Sequence, residues 1–482
     1  MIFNSLEYAI FLPVVFLIYW KILNRNLFLQ NLFIVAVSYF FYGWWNWKFL
    51  ILIAFTSLCS FLTGIIIDRF RFRHTLIKWI GASNILINIS ILALFKYYDF
   101  FVKSFAEKFL DGNTEGLLLN IILPVGISFY TFQALSYGID VYREKIKATR
   151  NIVEFFAFVS FFPQLVAGPI ERATNLLPQF QKRRTFDLAL AQDGIRQILW
   201  GLFKKIAVAD GCAVVVNEVF ASYQTQSGSS LFIAIILFTI QIYGDFSGYS
   251  DIAIGSSKLF GVRLMRNFNY PYFSRDIAEL WRRWHISLTT WFRDYVYIPL
   301  GGSRGSKARV IRNTLIIFTI SGMWHGANWT FICWGLFNAL LFIPLIILGK
   351  NRRFRDTVAS GKLFPSPVEA LRIIQTFLLF ALAFILFRSP TIYDAWNYFI
   401  GLFHWETFTF IYKFFDISRA NILAFVIGFM FLVEWLQRER EHGLSLSFTK
   451  RKWLKILVEV VMIWLIFLFR ARETGEFIYF QF

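Results

Sequence analysis

The stretch "SGMWHGANWTFICWGLFNALLFIPLII", residues 321–347, is apolar, aromatic or small at nearly every position. It is long enough to cross a bilayer, because the hydrocarbon core takes about 20 residues of α-helix. Its one histidine, His325, is costly in such a segment, since a polar side chain loses its hydration there. The stretch therefore predicts a membrane helix with a functional residue near its start.

The composition extends this prediction to the whole chain. Of the 482 residues, 57% are apolar and 20% are aromatic, which is shifted towards lipid relative to soluble domains. Apolar segments recur along the sequence, so the predicted fold class is an all-α polytopic membrane protein. The predicted spans are 8–23, 28–46, 49–67, 77–96, 117–140, 195–220, 230–254, 327–349, 371–388, 420–437 and 453–470. Two shorter segments, 152–170 and 310–325, carry glycine or proline near an end and are candidates for re-entrant segments.

The net charge of +19 is concentrated in loops between the predicted spans. The positive-inside rule places such loops on the cytoplasmic side, facing anionic lipid headgroups, so no nucleic-acid partner is predicted. The basic loops contain Lys21 and Arg25, Arg69–Lys78, Arg143–Arg150, Arg172–Arg184, Lys258–Arg312, Lys350–Lys362 and Arg438–Lys455. All of them fall on one side if both termini are extracytoplasmic, 152–170 does not cross, and 310–325 pairs with 327–349. The polar insertion at about 258–313 is then cytoplasmic.

The three cysteines show no spacing typical of a metal site or a redox motif. Cys59, Cys212 and Cys333 all lie in or beside apolar segments. The sequence therefore predicts neither a disulfide framework nor a metal centre.

His325 is the first candidate for chemistry. Gly326 beside it leaves space for a substrate or another backbone, and Trp324 and Trp329 can exclude water. If a helix begins here, Asn328 lies one turn further on and can bond one ring nitrogen, which leaves the other as a base. The alternative is a structural histidine satisfied by a nearby carbonyl group.

His285 is the second candidate, within residues 275–302. Apolar and aromatic residues recur there at spacings of three and four, which predicts one amphipathic helix at the cytoplasmic surface. Arg282, Arg283 and Arg293 lie off the apolar stripe. They either extend towards lipid headgroups or bind a phosphorylated donor.

Two further segments are unusual for membrane depth. "YGDFSGYSDIAIG", residues 243–255, places Asp245 and Asp251 among glycines and serines. This pattern is typical of a half-unwound segment that lines a cavity, although a helix terminus with a capping aspartate explains it equally. "FFPQLVAGPIER", residues 161–172, has the prolines and glycine of a re-entrant turn.

The segment "ELWRRWHISLTTWFRDYVYIPLGG" (279–302), followed by "SGMWHGANWTFICWG" (321–335), resembles the membrane-bound O-acyltransferase family. Its bacterial alginate O-acetylation and teichoic-acid D-alanyl transfer proteins are the most similar branch. The resemblance extends to "PVGISFYTFQALSYGIDVYR" (124–143) and to the two segments above, covering most of residues 1–340. It implies one membrane domain over 1–482, with a motif-bearing core at about 120–340. That domain would be a ring of about 11 transmembrane helices, with re-entrant and amphipathic helices, around a central tunnel.

The resemblance also implies an activity. His325 matches the catalytic histidine of the family and His285 the second signature position. Alginate-type members take acetyl from a cytoplasmic thioester, acetyl-CoA or an acyl carrier, without a permanently bound cofactor. They pass it to polysaccharide with a periplasmic partner acetyltransferase, in the bacterial cell membrane.

The predicted mechanism assigns the acceptor's proton to His325, and the positioning or polarisation of the acyl carbonyl to His285. The other residues predicted to bind the donor or line the tunnel are Arg282, Arg283, Trp284, Trp324, Asn328, Asp245 and Asp251. A transporter or flippase without acyl chemistry is the alternative, and a catalytically silent scaffold is a third possibility. An acyltransferase would consume an acyl donor, whereas a transporter would move its substrate without consuming one. The sequence also lacks the pair of matching broken helices that is typical of many transporters.

Overall fold

The computed structural model describes residues 1–109, 114, 116–166, 168–404, 417–446, 451–470 and 477–478. No β-strand occurs among these residues, so the predicted all-α class is confirmed. The helices are α1 (Leu6–Leu17), α2 (Leu27–Asn46), α3 (Leu50–Arg69), α4 (His74–Lys96), α5 (Tyr98–Phe109), α6 (Ile127–Tyr142), α7 (Ile152–Ser160), α8 (Phe162–Leu165), α9 (Ala173–Gln181), α10 (Leu188–Phe203), α11 (Asp210–Ala221), α12 (Gly228–Leu259), α13 (Ile277–Arg283), α14 (Ile286–Phe292), α15 (Lys307–His325), α16 (Trp329–Ile347), α17 (Pro367–Arg388), α18 (Ile392–Gly401), α19 (Ile417–Leu436) and α20 (Lys452–Leu468).

Five helical segments of the described chain are long and apolar enough to cross a membrane. They are Leu27–Arg69, which is α2 and α3 joined by one 3₁₀ turn, and then α4, α12, α16 and α17. The predicted count of about eleven is not confirmed, because several predicted spans form shorter helices. In the span predicted at 117–140, residues 117–126 are not helical, since Pro124 precedes Gly126 in the left-handed region (φ 75°) and α6 begins only after it.

The two candidate re-entrant segments differ from each other. The first breaks as its composition predicts: α7 ends at Ser160, and the short α8 follows with Pro163 in its first turn. The second, predicted at 310–325, is an unbroken helix, α15. The glycine of its apolar end serves helix packing instead, as described below.

The described chain divides into two compact units. The first comprises Met1–Ile195 and Ala253–Met265. Within it, helix α6 is buried along most of its length, and α3 approaches it so closely that a Cβ on Gly64 would lie 2.6 Å from the Tyr137 hydroxyl. Close approach of this kind is how membrane helices gain packing energy where lipid supplies no hydrophobic driving force.

The second unit comprises Arg196–Ile252 and Arg266–Phe482. Within it α15 and α16 form an antiparallel hairpin. A Cβ on Gly322 would lie 2.2 Å from the carbonyl oxygen of Phe331, and one on Gly335 would lie 2.2 Å from that of Phe318. Only glycine fits at these two crossing points, so the hairpin holds the end of α15 rigidly against α16.

Candidate active site

His325 is the last residue of α15, where the chain turns into α16. Gly326 is extended and ends α15, and Asn328 caps α16 by accepting the N–H of Thr330 (3.1 Å). No helix begins at His325, so the predicted bond from Asn328 to its ring is not formed. Asn328 donates instead to the carbonyl oxygen of Pro390 (2.8 Å).

Aromatic rings surround the imidazole of His325, which is only 4% exposed. The ring centroids of Trp324 and Trp334 each lie 4.9 Å away, and that of Phe387 lies 5.5 Å away. Trp329, predicted to exclude water here, is 50% exposed, so Trp334 shields the ring in its place. The rings of Trp324, Trp334 and Phe387 therefore give the imidazole of His325 an apolar surrounding.

The space that Gly326 leaves is not open. A Cβ on Gly326 would lie 2.1 Å from the ring of Phe331. The sequence predicted room here for a substrate or another backbone, but the chain's own Phe331 occupies it. Access to His325 must therefore come from another side.

His285 interrupts the amphipathic helix predicted at 275–302. The segment forms two short helices, α13 and α14, and His285 between them is in the left-handed region (φ 42°). Residues on all sides of α13 are buried, including Glu279 and Arg283, so it is not a helix lying on the membrane surface. A histidine in this strained backbone conformation is uncommon and typical of functional sites.

Asn267 fixes the orientation of the His285 ring. Its Oδ1 accepts the backbone N–H (3.4 Å) and the hydroxyl (2.9 Å) of Ser287, and its Nδ2 donates to Ser250 Oγ (3.0 Å). The backbone N–H can only donate, so the amide atom facing it is the oxygen. That same oxygen lies 3.1 Å from His285 Nδ1, which must therefore carry the ring proton.

The protonation state of His285 agrees with this assignment. Burial lowers the pKa of His285 to about 3, so the imidazole is neutral near pH 7. A neutral ring with its proton on Nδ1 keeps a lone pair on Nε2. His285 is thus held as a hydrogen-bond acceptor at Nε2.

Both histidines line one cavity of about 570 Å³. Their rings contact the same indole, since the centroid of Trp324 lies 5.7 Å from that of His285 and 4.9 Å from that of His325. Trp284 lines the cavity as well and is buried. The volume suits an extended small-molecule ligand.

The cavity opens between exposed arginines. Arg282, Arg293, Arg352 and Arg355 all line it and are exposed, whereas both histidines are buried. Arg282 donates to the carbonyl oxygens of Asn351 (2.9 Å) and Phe354 (2.5 Å), which hold it in place without neutralising its charge. Arg293 pairs with Asp294 (2.7 Å), so the positive charge of the mouth comes from Arg282, Arg352 and Arg355 and suits a phosphorylated ligand.

Arg283 lines the same cavity but is already neutralised. It is buried and forms an ion pair with Glu279 (2.9 Å), which also pairs with Arg275 (3.0 Å). Arg283 is thus part of the cavity wall, while its predicted partner in donor binding, Arg282, faces the mouth.

The sequence model of the membrane-bound O-acyltransferase family matches residues 39–387. The chain belongs to this family. It is 36% identical to the "Probable alginate O-acetylase" of Pseudomonas aeruginosa over 435 residues, 90% of this chain and 80% of the relative. It is 34% identical to the peptidoglycan O-acetyltransferase of Helicobacter pylori over 80% of this chain and 76% of the relative. The teichoic acid D-alanyltransferase of Streptococcus thermophilus is 31% identical over 58% of this chain and 70% of the relative.

Membership of the membrane-bound O-acyltransferase family identifies the chain as a multi-pass membrane acyltransferase, not a transporter without acyl chemistry. Among the described residues, no group of three or more His, Cys, Asp or Glu side chains is arranged to hold a metal ion.

Asp245 and Asp251 are not among the residues that line this cavity. The predicted half-unwound segment is a continuous part of α12, so the two aspartates lie neither in an unwound segment nor at a helix end. Asp251 pairs with Lys204 (2.6 Å), and Asp245 pairs with Lys205 (2.9 Å). Their glycine- and serine-rich surroundings reflect close packing instead: a Cβ on Gly248 would lie 2.8 Å from the carbonyl oxygen of Gly201 in α10.

Three features around the two histidines and the cavity mouth were not predicted from the sequence. Asn267 carried no signal, because its partner lies 18 residues away across a turn. Trp334 was one of many tryptophans in an apolar helix. Arg352 and Arg355 were visible only as part of a basic loop, since nothing in the sequence indicates that this loop borders His285.

Proposed function

We propose that this acyltransferase moves an acyl group, in the first instance acetyl, from a cytoplasmic thioester to a hydroxyl of a cell-surface or exported polysaccharide, with His325 as the general base. The observation that carries this proposal is the single cavity that joins an arginine-lined mouth to two buried histidines. The relatives named for alginate and peptidoglycan O-acetylation support the acetyl group and the polysaccharide.

His325 would act on the incoming hydroxyl. The hydroxyl oxygen attacks the thioester carbon while its proton moves to the imidazole. As the tetrahedral intermediate collapses, the sulfur leaves and takes up that proton as a thiol. General base catalysis of this kind contributes about 10²–10⁴-fold to rate. The aromatic surroundings of His325 exclude water, which limits hydrolysis of the thioester.

His285 would hold the bound substrate through Nε2, which accepts a hydrogen bond from an N–H or O–H group other than the reacting hydroxyl, because the one proton of that hydroxyl goes to His325. Because Nδ1–H is directed at Asn267, the neutral ring has no second N–H to donate to a carbonyl oxygen. This geometry favours positioning of the acyl group, one of the two roles predicted for His285, over polarisation of the acyl carbonyl. Asn267 then acts as a positioning residue.

We expect Asn267→Ala to lower kcat by about ten-fold or more while leaving the donor KM nearly unchanged, since a lost buried hydrogen bond is worth about 1–3 kcal/mol. Asn267→Asp keeps the acceptor but adds a carboxylate beside the ring. Because that charge favours imidazolium, the acidic limb of the pH–rate profile should move to higher pH. Identical pH profiles for wild type and Asn267→Asp would contradict the positioning role.

The donor's phosphates would bind at the cavity mouth, on Arg282, Arg352 and Arg355. We expect Arg352→Gln and Arg355→Gln each to raise the KM for acetyl-CoA by about five-fold, from loss of a contact worth about 1 kcal/mol, with little change in kcat. The effect should shrink at high salt, because exposed charges are screened. Arg304→Gln is the matched control, since Arg304 is exposed nearby but does not line the cavity. An equal rise in KM for Arg304→Gln would show that the mouth has no specific role.

The membrane arrangement follows from the charge distribution. We propose that the acyltransferase lies in the bacterial inner membrane with both termini outside the cytoplasm and the insertion at 258–313 inside. A periplasmic or extracellular partner acetyltransferase would complete the transfer to polysaccharide.

Labelled donor tests this function. Membranes with and without the protein are incubated with acetyl-CoA labelled in the acetyl group, and alkali-labile label in polysaccharide is measured. We expect ester-linked label only where the protein is present. A parallel incubation with a D-alanyl thioester tests which acyl group is transferred. In the acetyl-CoA incubation, label in polysaccharide no greater than in membranes lacking the protein would contradict the proposal.

A further inference from the structure

A second cavity, of about 400 Å³, lies within the first compact unit. Its walls come from the end of α1 with the turn that follows it, and from the segment between α9 and α10. Phe16, Trp20 and Phe186 form an aromatic wall, and Lys21, Arg183 and Arg184 supply three positive charges. No carboxylate is among the described residues that line it.

Arg184 is the most informative of these residues because it is only 6% exposed. It donates to the Tyr19 hydroxyl, to Asn31 Oδ1 (2.6 Å) and to the carbonyl oxygen of Gln179 (3.0 Å). All three acceptors are neutral, and no carboxylate of the described residues lies within ion-pair distance of Arg184. Burying an uncompensated charge is costly, so this arrangement points to an anion that completes the site.

The guanidinium has donors left for such an anion. Of its five N–H groups, the three bonds above use three, so two remain. Lys21 and Arg183 are exposed at the rim, and neither pairs with a described carboxylate. The acidic residue nearest in sequence, Asp187, instead accepts the N–H groups of Ala189 (2.9 Å) and Leu190 (3.1 Å).

An apolar stripe leads to the rim of this cavity. Leu6, Ile10, Val14 and Leu17 recur at spacings of four, four and three on α1, and each is at least 50% exposed. Leu17 also lines the cavity. The stripe is about 17 Å long at 1.5 Å per residue, close to the ~15 Å hydrocarbon depth of one leaflet. In a membrane protein such a face contacts acyl chains.

We propose that this cavity binds the headgroup of an anionic phospholipid, with the phosphate on Arg184 and the acyl chains along the stripe of α1. A free phosphate would satisfy the guanidinium equally but would leave the stripe without a role, which favours the lipid. Both basic segments belong to loops that the positive-inside rule places in the cytoplasm, so the lipid belongs to the cytoplasmic leaflet.

The test removes two rim charges, because Arg184 also supports the fold through its bonds to Tyr19 and Asn31. The full-length Lys21→Gln/Arg183→Gln variant is purified in detergent and titrated with dioleoyl phosphatidylglycerol, and bound lipid is counted by native mass spectrometry. Arg25→Gln/Lys182→Gln is the matched control, since it removes two neighbouring exposed charges that do not line the cavity. Phosphatidylcholine and inorganic phosphate are titrated in parallel.

We expect the rim variant to bind phosphatidylglycerol about 30-fold more weakly than wild type does, since each of the two charges near an anionic headgroup is worth about 1 kcal/mol. The control variant should bind it like wild type, and phosphatidylcholine should bind weakly to all three. Equal weakening in both variants, or equal binding of phosphatidylcholine, would overturn the proposal. Displacement of phosphatidylglycerol by inorganic phosphate at similar concentration would identify a soluble-phosphate site and would overturn it too.

Discussion

His325→Ala should abolish acyl transfer while leaving the protein inserted and folded. The proposed base is lost, and the lone pair of His285 Nε2 is assigned to a different group of the substrate. We expect a fall of about 10²–10⁴-fold in the rate of ester formation from a labelled thioester. The variant's amount in membranes and its thermal stability after solubilisation should stay near those of wild type.

His74→Ala provides the matched control for His325→Ala. His74 begins α4, is exposed and lies outside the cavity, so its replacement should leave the rate unchanged. Polysaccharide acetyl content in His325→Ala equal to that of wild type would remove this histidine from the mechanism. A comparable loss in both variants would point to general damage instead of a catalytic role.

Glu279→Ala should destabilise the second compact unit strongly. The carboxylate is buried and accepts bonds from Arg275 (3.0 and 3.1 Å) and Arg283 (2.9 and 3.1 Å). Its removal leaves two buried guanidinium groups without their shared partner, which costs about 3–5 kcal/mol for a buried pair. Two quantities are measured: the thermal unfolding midpoint of the solubilised protein and the amount of folded protein recovered from membranes.

Asp356→Asn separates this effect from the general loss of an ion pair. Asp356 pairs with the same Arg275 (3.0 Å), but its side chain is 68% exposed. A surface pair of this kind is worth about 0–1 kcal/mol, so the midpoint should shift little. If Glu279→Ala and Asp356→Asn lowered the midpoint equally, the buried Glu279 carboxylate would contribute no more to stability than the exposed Asp356 carboxylate, which contradicts this prediction.

The fold class and the two histidines follow from the sequence for a simple physical reason. A membrane requires long apolar segments, so any ionisable residue within or beside one stands out. His325 is conspicuous in this way, and so is His285 among its aromatic neighbours. The structure brings both into the wall of one cavity, as the shared resemblance implied, although their chemical roles stay predictions.

Predictions made from the spacing of residues were wrong where the backbone departs from a regular helix. The stripe at 275–302 fits one helix, but His285 adopts a left-handed conformation that periodicity does not register. Asn328 stands three residues from His325, yet α15 ends between them, so the expected helical contact is lost. Asp245 was predicted to line a cavity because its glycine- and serine-rich segment is typical of a half-unwound helix, but α12 is continuous there and Lys205 pairs with Asp245. A contact between helices distant in sequence cannot be read from one chain alone.

The path from the arginine mouth to His325 can be observed with a bound donor. We suggest cryo-electron microscopy of the protein with a non-hydrolysable acetyl-CoA analogue. The analogue's phosphates should lie at Arg282, Arg352 and Arg355, and its acetyl group should contact the His325 ring. An analogue bound elsewhere, or one whose acetyl group stays out of contact with His325, would contradict the proposed role of this histidine.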